Sequence, residues 1–266
     1  MNTTTPPLTI QPSLLSADEQ TFLDDYGYVS LGKILDETQL TAVRIRIQEL
    51  LESEGEKAGS ELLDSPHIRH PKEEGADRLA DLVNKGNVFD VFYTHPRVLA
   101  GVAHVLTNEL KLSSLNYRAA LPGKGHQKLH ADWHETVAPS DYQVCNTIWL
   151  LDDFTKENGA TRLVPATHRS GILPQEELKD PYATHPDEIL VEAPAGTVVI
   201  FNSHTWHGGT DNHTDAPRRS IHSYFCRRSQ PQQVDQQRYI LPETYARLSE
   251  DARWTLGVTQ PEATTR

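Results

Sequence analysis

The chain has 266 residues, a mass of 29.9 kDa, a formal net charge of −12 and a pI near 5.5. This length suffices for one large domain with a sizeable core. The acidic balance argues against a nucleic-acid or anionic-membrane partner, because phosphate binding needs a concentrated Lys/Arg patch and none is visible. We expect a small-molecule substrate; the oligomeric state stays open.

The N-terminus is rich in threonine and proline and lacks both the basic start and the apolar core of a signal peptide. No later stretch is apolar enough to span a bilayer. We therefore expect a cytoplasmic protein in which residues 1–15 form a flexible tail. Cys145 and Cys226 are too few for a disulfide framework and are expected to be buried thiols.

The first part of the chain is predicted to be helical. Ser16 and Glu19 form a capping-box pattern, and the helix that follows should end near Gly27. A second helix should begin after Asp36 and end at Gly55. Two further helices are predicted over residues 76–85 and 96–107. Residues 55–75 are polar with two prolines and are predicted to be a surface loop.

From residue 111 onward, short β-rich runs alternate with turn signals such as Asn158-Gly159 and Ala195-Gly196. Strands are predicted over residues 112–120, 126–135, 143–151, 160–164, 188–193, 197–202 and 218–227. A helical part leading into many short strands predicts a mainly β jelly roll with flanking helices. We expect a single domain over residues 16–245, with a helical part over 16–107, a jelly-roll core over 111–228 and a C-terminal extension over 246–266.

The candidate metal ligands begin with an HxD pattern. Side chains alternate along a strand, so His130 and Asp132 should share one face of the predicted strand 126–135. Thirteen histidines make such a pair a weak signal by itself. Its setting is more informative, because His207 follows an apolar strand and could complete the two-histidine, one-carboxylate set of non-heme iron(II) oxygenases. His204 competes with His207 for this role.

Arg218 is the candidate anchor for an acidic cosubstrate. A guanidinium can hold the far carboxylate of a dicarboxylic keto acid through two parallel hydrogen bonds, and Ser220, two residues on, shares its face of the strand. Arg219 competes with Arg218, but strand alternation allows only one of the two to face a pocket.

Together these motifs resemble the phytanoyl-CoA dioxygenase family of iron(II)/2-oxoglutarate oxygenases. The resemblance spans roughly residues 15–230 and rests on LSADE at 15–19, GYV at 27–29, LDD at 151–153, ENGATRLVPATH at 157–168, WHG at 206–208 and PRR at 217–219. Ala131 stands where many members have glutamine, and Pro165-Ala166-Thr167 replaces a Pro-Gly-Ser run; neither difference affects the ligands.

The resemblance implies a cupin-like double-stranded β-helix with iron near one mouth of the barrel. It implies His130, Asp132 and His207 as the iron ligands, Arg218 as the 2-oxoglutarate anchor, and Thr147 as a further pocket residue. The cofactors implied are Fe(II), 2-oxoglutarate and O2, with ascorbate as a stimulant. In related halogenases a small residue replaces the carboxylate ligand, so a carboxylate here favours hydroxylation or another oxidation.

Residues next to the HxD pattern are candidates for the substrate side. His126, Lys128 and His134 are in register with His130; Lys128 is a candidate for binding an acidic group, and His134 for a substrate contact or an added zinc ligand. Trp133 is a candidate too, although such a residue is more often a core aromatic. Two other functions stay open: a cupin-like isomerase or hydrolase that uses no keto acid, and a non-catalytic small-molecule binding domain.

Overall fold

The structure is a computed structural model, and it describes residues 10–59, 73 and 75–259. Its helices are α1 Ala17–Tyr26, α2 Glu37–Glu54, α3 Val91–Thr94, α4 Pro96–Leu106, α5 Pro174–Glu177, α6 Gln236–Tyr239, α7 Pro242–Arg247 and α8 Glu250–Leu256. Its strands are β1 Tyr28–Lys33, β2 Ala76–Leu79, β3 Leu110–Ala120, β4 Val144–Leu150, β5 Thr161–Val164, β6 Ile189–Leu190, β7 Thr197–Asn202, β8 Trp206–Gly209 and β9 Arg218–Arg227.

The strands form two antiparallel sheets. The large sheet has six strands in the order β1-β7-β4-β9-β3-β2, and the small sheet has three in the order β6-β5-β8. Neighbours in the large sheet are far apart in sequence, since β4 pairs with β7 on one side and with β9 on the other. The expected mainly β jelly roll with flanking helices, a double-stranded β-helix, is confirmed.

Strand alternation divides the core into two layers. In β4, Trp149 faces the helices and joins the larger hydrophobic cluster, whereas Ile148 faces the small sheet. In β7, Ile200 likewise joins the larger cluster on the helix side, and Phe201 faces the small sheet. β4 and β7 therefore bury apolar side chains on both faces, and each leucine- or isoleucine-sized side chain buried there contributes about 1.5–3 kcal/mol.

The two first helices begin and end where the sequence predicts. The Ser16 hydroxyl accepts from the backbone N–H of Glu19, and the Glu19 carboxylate accepts from the N–H of Ser16. Gly27 ends α1 with φ of 79°, a conformation that glycine adopts at little cost. Asp36 caps α2 in the same reciprocal manner. The predicted helix at 96–107 is also confirmed as α4.

Two predicted elements are wrong. Residues 76–85 are not one helix, because 76–79 pair with β3 as strand β2 and Leu82–Lys85 form a short 3-10 helix. Pairing along a sheet edge overrides the local helical pattern there. Residues 126–135 are not a regular strand either: the segment is extended, but one bridge, between His130 and His207, is its only ladder pair among the described residues.

The ends of the chain pack against the domain where they are described. Residues 1–9 of the expected tail lie outside the described residues, whereas Ile10 and Leu15 are buried, so residues 10–15 differ from a loose tail. Near the other end, α8 packs against β3 and buries Leu256. Most of the predicted loop 55–75 lies outside the described residues.

No helix in the described part of the chain is both long and apolar enough to cross a membrane.

Candidate active site

The three predicted metal ligands come together between the two sheets. The extended segment around His130 runs antiparallel to β8, and each backbone N–H of His130 and His207 donates to the other residue's carbonyl at 2.9 Å. The N–H of Asp132 donates to the carbonyl of Ser203 at 2.8 Å. This backbone pairing holds the side chains of all three residues next to one another, although the ligands come from two distant parts of the sequence.

The distances fit a mononuclear metal centre. Oδ1 of Asp132 lies 3.5 Å from Nε2 of His207 and 3.9 Å from Nε2 of His130. The three ligand atoms all lie within 4.8 Å of one another. Two imidazoles and one carboxylate on one side of an ion leave its other positions open, which is typical of non-heme iron(II) oxygenases.

Hydrogen bonds behind the ligands set the histidine tautomers. Nδ1 of His130 donates to the carbonyl of Lys128, and Nδ1 of His207 donates to the carbonyl of Thr205, both at 2.9 Å. Each Nε2 is therefore left to direct its lone pair at the shared point. Burial lowers the pKa of His207, but the carboxylate of Asp132 outweighs it and raises this pKa overall. A divalent cation would take the place of that proton.

The carboxylate ligand has supports of its own. Nδ2 of Asn146 in β4 donates to Oδ2 of Asp132 at 3.3 Å, and the hydroxyl of Tyr224 in β9 donates to the backbone carbonyl of Asp132 at 3.3 Å. The two strands of the large sheet thus orient a ligand that belongs to neither strand.

His204 does not compete with His207 for the metal position. Its Nε2 accepts the backbone N–H of Gln143 at 3.1 Å, and its ring centroid lies 5.4 Å from that of Tyr142. Burial lowers the pKa of His204 to about 4, so its imidazole is neutral at pH 7. His204 supports the loop that precedes β8.

A cavity of about 660 Å³ opens beside the metal ligands. Arg218 of β9 lies in its wall with 1% of its surface exposed. Nη1 of Arg218 donates to Oγ of Ser220 at 3.3 Å, and the guanidinium lies 4.3 Å from the ring centroid of Phe154. Nε and Nη2 have no hydrogen-bond partner among the described residues.

Within the described part of the chain, no carboxylate forms an ion pair with Arg218. Burial, helped by the nearby charge of Arg118, lowers the pKa of Arg218 to about 9, which still leaves the guanidinium charged at pH 7. A buried charge that has unsatisfied donors is costly unless an anion binds it. A dicarboxylic keto acid could bind this guanidinium through its far carboxylate and a metal ion through its keto acid end.

The rival Arg219 is an ion-paired residue outside the cavity. Its Nη2 and Nε donate to the two carboxylate oxygens of Asp152 at 2.6 and 2.9 Å. That hydrogen bonding raises the pKa of Arg219. Asp152 thus takes the Nε/Nη2 edge of this guanidinium, and Arg219 is not among the described residues that line the cavity.

Thr147 requires a correction. Asn146 and Ile148 line the cavity, so alternation along β4 directs Thr147 to the helix side of the sheet. There its hydroxyl donates to the carbonyl of Ser223 at 3.4 Å and accepts from the indole N–H of Trp149 at 2.9 Å. The expectation that Thr147 lines the pocket is not supported.

The substrate-side candidates divide into two groups. Lys128 and His126 line the mouth of the cavity, and Lys128 is exposed there. Trp133 instead packs against Val144, Tyr224 and Cys226. His134 lies near the carboxylate of Glu135 at 3.6 Å and is not among the cavity-lining residues that the structure describes.

Sequence reasoning missed two parts of the cavity wall. One is an ion-pair group in which Glu73 accepts from Arg118 at 2.6 and 2.9 Å and from Arg78 at 2.6 Å. No local pattern could join these positions, because Glu73 comes from a polar segment before β2. The other is His222, which strand alternation from Arg218 through Ser220 could have identified.

Comparisons with known proteins agree with this geometry. The sequence model of the phytanoyl-CoA dioxygenase family matches residues 23–220. "Dioxygenase af480" of Aspergillus fumigatus is 27% identical over 215 residues, which cover 77% of this chain and 64% of that protein, slightly under two thirds of its length. A "Probable phytanoyl-CoA dioxygenase" of Caenorhabditis elegans is 24% identical over 245 residues, covering 82% of this chain and 77% of that protein.

Solved structures share the fold. HygX from Streptomyces hygroscopicus, with nickel and 2-oxoglutarate bound, has a TM-score of 0.65 at 15% identity and covers 82% of this chain and 89% of its own. The non-heme α-ketoglutarate-dependent carbocyclase SnoK, from nogalamycin biosynthesis, has a TM-score of 0.61 at 21% identity, with coverage of 81% and 85%. Since the family match spans most of the sequence, the chain belongs to the phytanoyl-CoA dioxygenase family and is a non-heme iron, 2-oxoglutarate-dependent dioxygenase.

Proposed function

We propose that this dioxygenase hydroxylates, or otherwise oxidises, an unactivated C–H bond of a small molecule, with succinate and carbon dioxide as co-products. His130, Asp132 and His207 would hold iron(II), and Arg218 with Ser220 would hold the far carboxylate of 2-oxoglutarate. The observation that carries the proposal is a buried guanidinium, with no ion-pair partner among the residues that the structure describes, in the same cavity as a two-histidine, one-carboxylate set.

Iron(II) and 2-oxoglutarate, when bound, supply the chemistry in which O2 is reduced while the keto acid is decarboxylated. The chain's own residues fix where this happens. The carbonyls of Lys128 and Thr205 hold the two imidazoles with Nε2 directed toward Asp132, and Asn146 holds the carboxylate of Asp132. Because Asp132 fills the third ligand position, oxygenation is favoured over halogenation.

Charge complementarity determines which cosubstrate fits. Arg218 is buried in apolar surroundings beside Phe154, where a carboxylate would be held more strongly than in water. An isomerase or hydrolase that uses no keto acid would have no use for this buried cation. A binding domain without catalysis would need neither this cation nor the open metal positions.

The proposed substrate is a small molecule because the cavity volume is in the range of small-molecule sites. One solved structure of HygX contains hygromycin B together with nickel and 2-oxoglutarate, so this fold accommodates such molecules. At the mouth of the cavity, Lys128 could contact an acidic group of the substrate or cosubstrate. Trp133 and His134 lie elsewhere and are not part of the proposal.

We place the reaction in the cytoplasm, where 2-oxoglutarate is available and iron can be kept reduced. Cys145 and Cys226 are both free and buried, as expected for thiols in a reducing compartment. Ascorbate should stimulate turnover by returning oxidised iron to the iron(II) state.

The test is succinate formation from 2-oxoglutarate by the purified chain with iron(II) and ascorbate, alone and with candidate metabolites. We expect iron-dependent succinate that a true substrate increases, and we expect Asp132→Ala to abolish turnover. Full activity of Asp132→Ala with tight iron binding would contradict the proposed ligands. A wild-type chain that binds iron but neither binds nor consumes 2-oxoglutarate would contradict the proposed function.

A further inference from the structure

The hydroxyl of Ser220 lies at a junction of three polar groups. Its Oγ is 3.3 Å from Nη1 of Arg218, 3.1 Å from the backbone carbonyl of Arg118 and 3.1 Å from Nε2 of His222. Ser220 is fully buried, and His222 lines the same cavity as Arg218. A hydroxyl has one proton to donate and two lone pairs that accept, so three neighbours saturate it.

The neighbours fix the direction of each hydrogen bond. Arg218 can only donate, so it occupies one lone pair of Ser220. The carbonyl of Arg118 can only accept, so it takes the hydroxyl proton. The remaining lone pair of Ser220 must then accept from His222, which places the imidazole proton on Nε2. This tautomer is the opposite of the one held by His130 and His207, in which Nδ1 carries the proton.

His222 is also kept neutral. Burial, together with the charges of Arg118, Arg218 and Arg78, lowers its pKa to about 3, against an opposing effect of the carboxylate of Asp132. A second imidazole proton would add another positive charge close to those of Arg118, Arg218 and Arg78. At pH 7 the two ring nitrogens of His222 therefore carry one proton between them. This proton is on Nε2 and is donated to Oγ of Ser220.

We propose that His222 positions 2-oxoglutarate through Ser220, by donating its Nε2–H to the serine oxygen. With Arg218 and His222 on both lone pairs, the hydroxyl proton of Ser220 is the only one free to turn, from the carbonyl of Arg118 toward a bound carboxylate. His222 is thus a positioning residue that acts through another side chain. This inference rests on the proposed function, since it takes 2-oxoglutarate as the ligand of Arg218 and Ser220.

The experiment measures the dissociation constant of 2-oxoglutarate for the nickel-loaded protein by calorimetry, so no turnover is needed. His222→Phe should weaken binding roughly three- to tenfold, the value of one hydrogen bond. His222→Gln, whose amide N–H can replace the imidazole Nε2–H, should stay within about twofold of the wild type. His204→Gln is the matched control, because His204 is a buried neutral histidine outside the cavity, and it should leave the constant unchanged.

A double-mutant cycle separates this role from simple packing. In a Ser220→Ala background, His222→Phe should cause no further weakening, because the hydroxyl through which it acts is gone. An equal loss in both backgrounds, or no loss in either, would overturn the role of His222. If His222→Phe does not fold, the comparison of His222→Gln with the shorter His222→Asn takes its place, with weaker binding expected for asparagine; equal affinities would overturn the role.

The outcome also separates this inference from the proposed function. A wild type that binds nickel and 2-oxoglutarate, with no effect of His222 variants, overturns the inference alone. A wild type that binds nickel but no 2-oxoglutarate overturns the proposed function and the role of His222 with it.

Discussion

Arg218 and Arg219 are consecutive residues of β9, yet their guanidinium groups lie on opposite faces of the large sheet. Arg218 points into the cavity, next to Ser220 and Phe154, and two of its nitrogens have no partner among the described residues. Arg219 forms a two-point ion pair with Asp152. Strand alternation thus gives neighbouring residues of the same type different tasks.

The first prediction compares these two arginines. Arg218→Ala should weaken 2-oxoglutarate binding by about 2–5 kcal/mol, the usual cost of removing one partner of a buried charge pair. Arg219→Ala should leave that affinity unchanged, because its carboxylate partner is Asp152. Calorimetric titration of both nickel-loaded variants checks this. A large loss of 2-oxoglutarate affinity in Arg219→Ala, with none in Arg218→Ala, would show that Arg219 and not Arg218 binds the far carboxylate.

A second prediction concerns the histidines on either side of Trp206. His207→Ala should weaken iron(II) or nickel binding by more than about 100-fold, since even losing a group behind a ligand costs 10- to 100-fold. His204→Gln should keep metal affinity, because the glutamine oxygen can still accept the N–H of Gln143. The metal content of each variant after dialysis against increasing concentrations of a chelator measures its metal affinity. Loss of metal from the His204 variant alone would reverse the assignment.

Thr147→Val tests the corrected position of Thr147. The change removes one acceptor for the indole N–H of Trp149, which keeps the hydroxyl of Ser223 at 3.1 Å. The free energy of unfolding should fall by about 1 kcal/mol, as for the loss of one buried hydrogen bond. The affinity for 2-oxoglutarate should not change. Urea unfolding measures the stability, and calorimetry measures the affinity for 2-oxoglutarate. Weaker 2-oxoglutarate binding with unchanged stability would show that Thr147 lines the pocket.

The ion pairs of Glu73 should make stability depend on acid pH. Burial raises the pKa of Glu73, but hydrogen bonds and charges from Arg118 and Arg78 outweigh it and lower this pKa to about 2. The carboxylate therefore contributes stability that is complete above its usual pKa of 4.5 and is lost as the pH falls through about 2.

Glu73→Gln should accordingly lower the free energy of unfolding by about 3 kcal/mol at pH 7, because Arg118 is left buried without its counterion. The difference from the wild type should shrink as the pH falls from 5 toward 2.5. Urea unfolding at a series of pH values gives this curve. A difference that stays constant over that range would show that the carboxylate charge does not stabilise the fold.

Much of the fold is local and was predictable. The caps at Ser16 and Asp36 set two helix starts through bonds to residues three positions away. β7 is apolar on both faces, so its sequence already marks a central strand. By contrast, β2 is a strand because it pairs with β3, and nothing local to 76–79 carries that information.

The site divides in the same way. The order of the motifs predicted that His130, Asp132 and His207 come together and that Arg218 lies in the same cavity, since those residues stand in short patterns. Thr147 was misplaced because its face of β4 depends on register with β7 and β9. Glu73 was out of reach, because its contact with Arg118 joins a loop to a strand over a long stretch of chain.

The most direct test of the central claim is an anaerobic titration of the iron(II)-loaded chain with 2-oxoglutarate, followed by the visible charge-transfer absorption of the iron–keto acid complex. We predict a band that saturates at one equivalent of 2-oxoglutarate, is missing in His207→Ala and needs far more 2-oxoglutarate in Arg218→Ala. Iron binding without any such band in the wild type, or an undiminished band in His207→Ala, would contradict it.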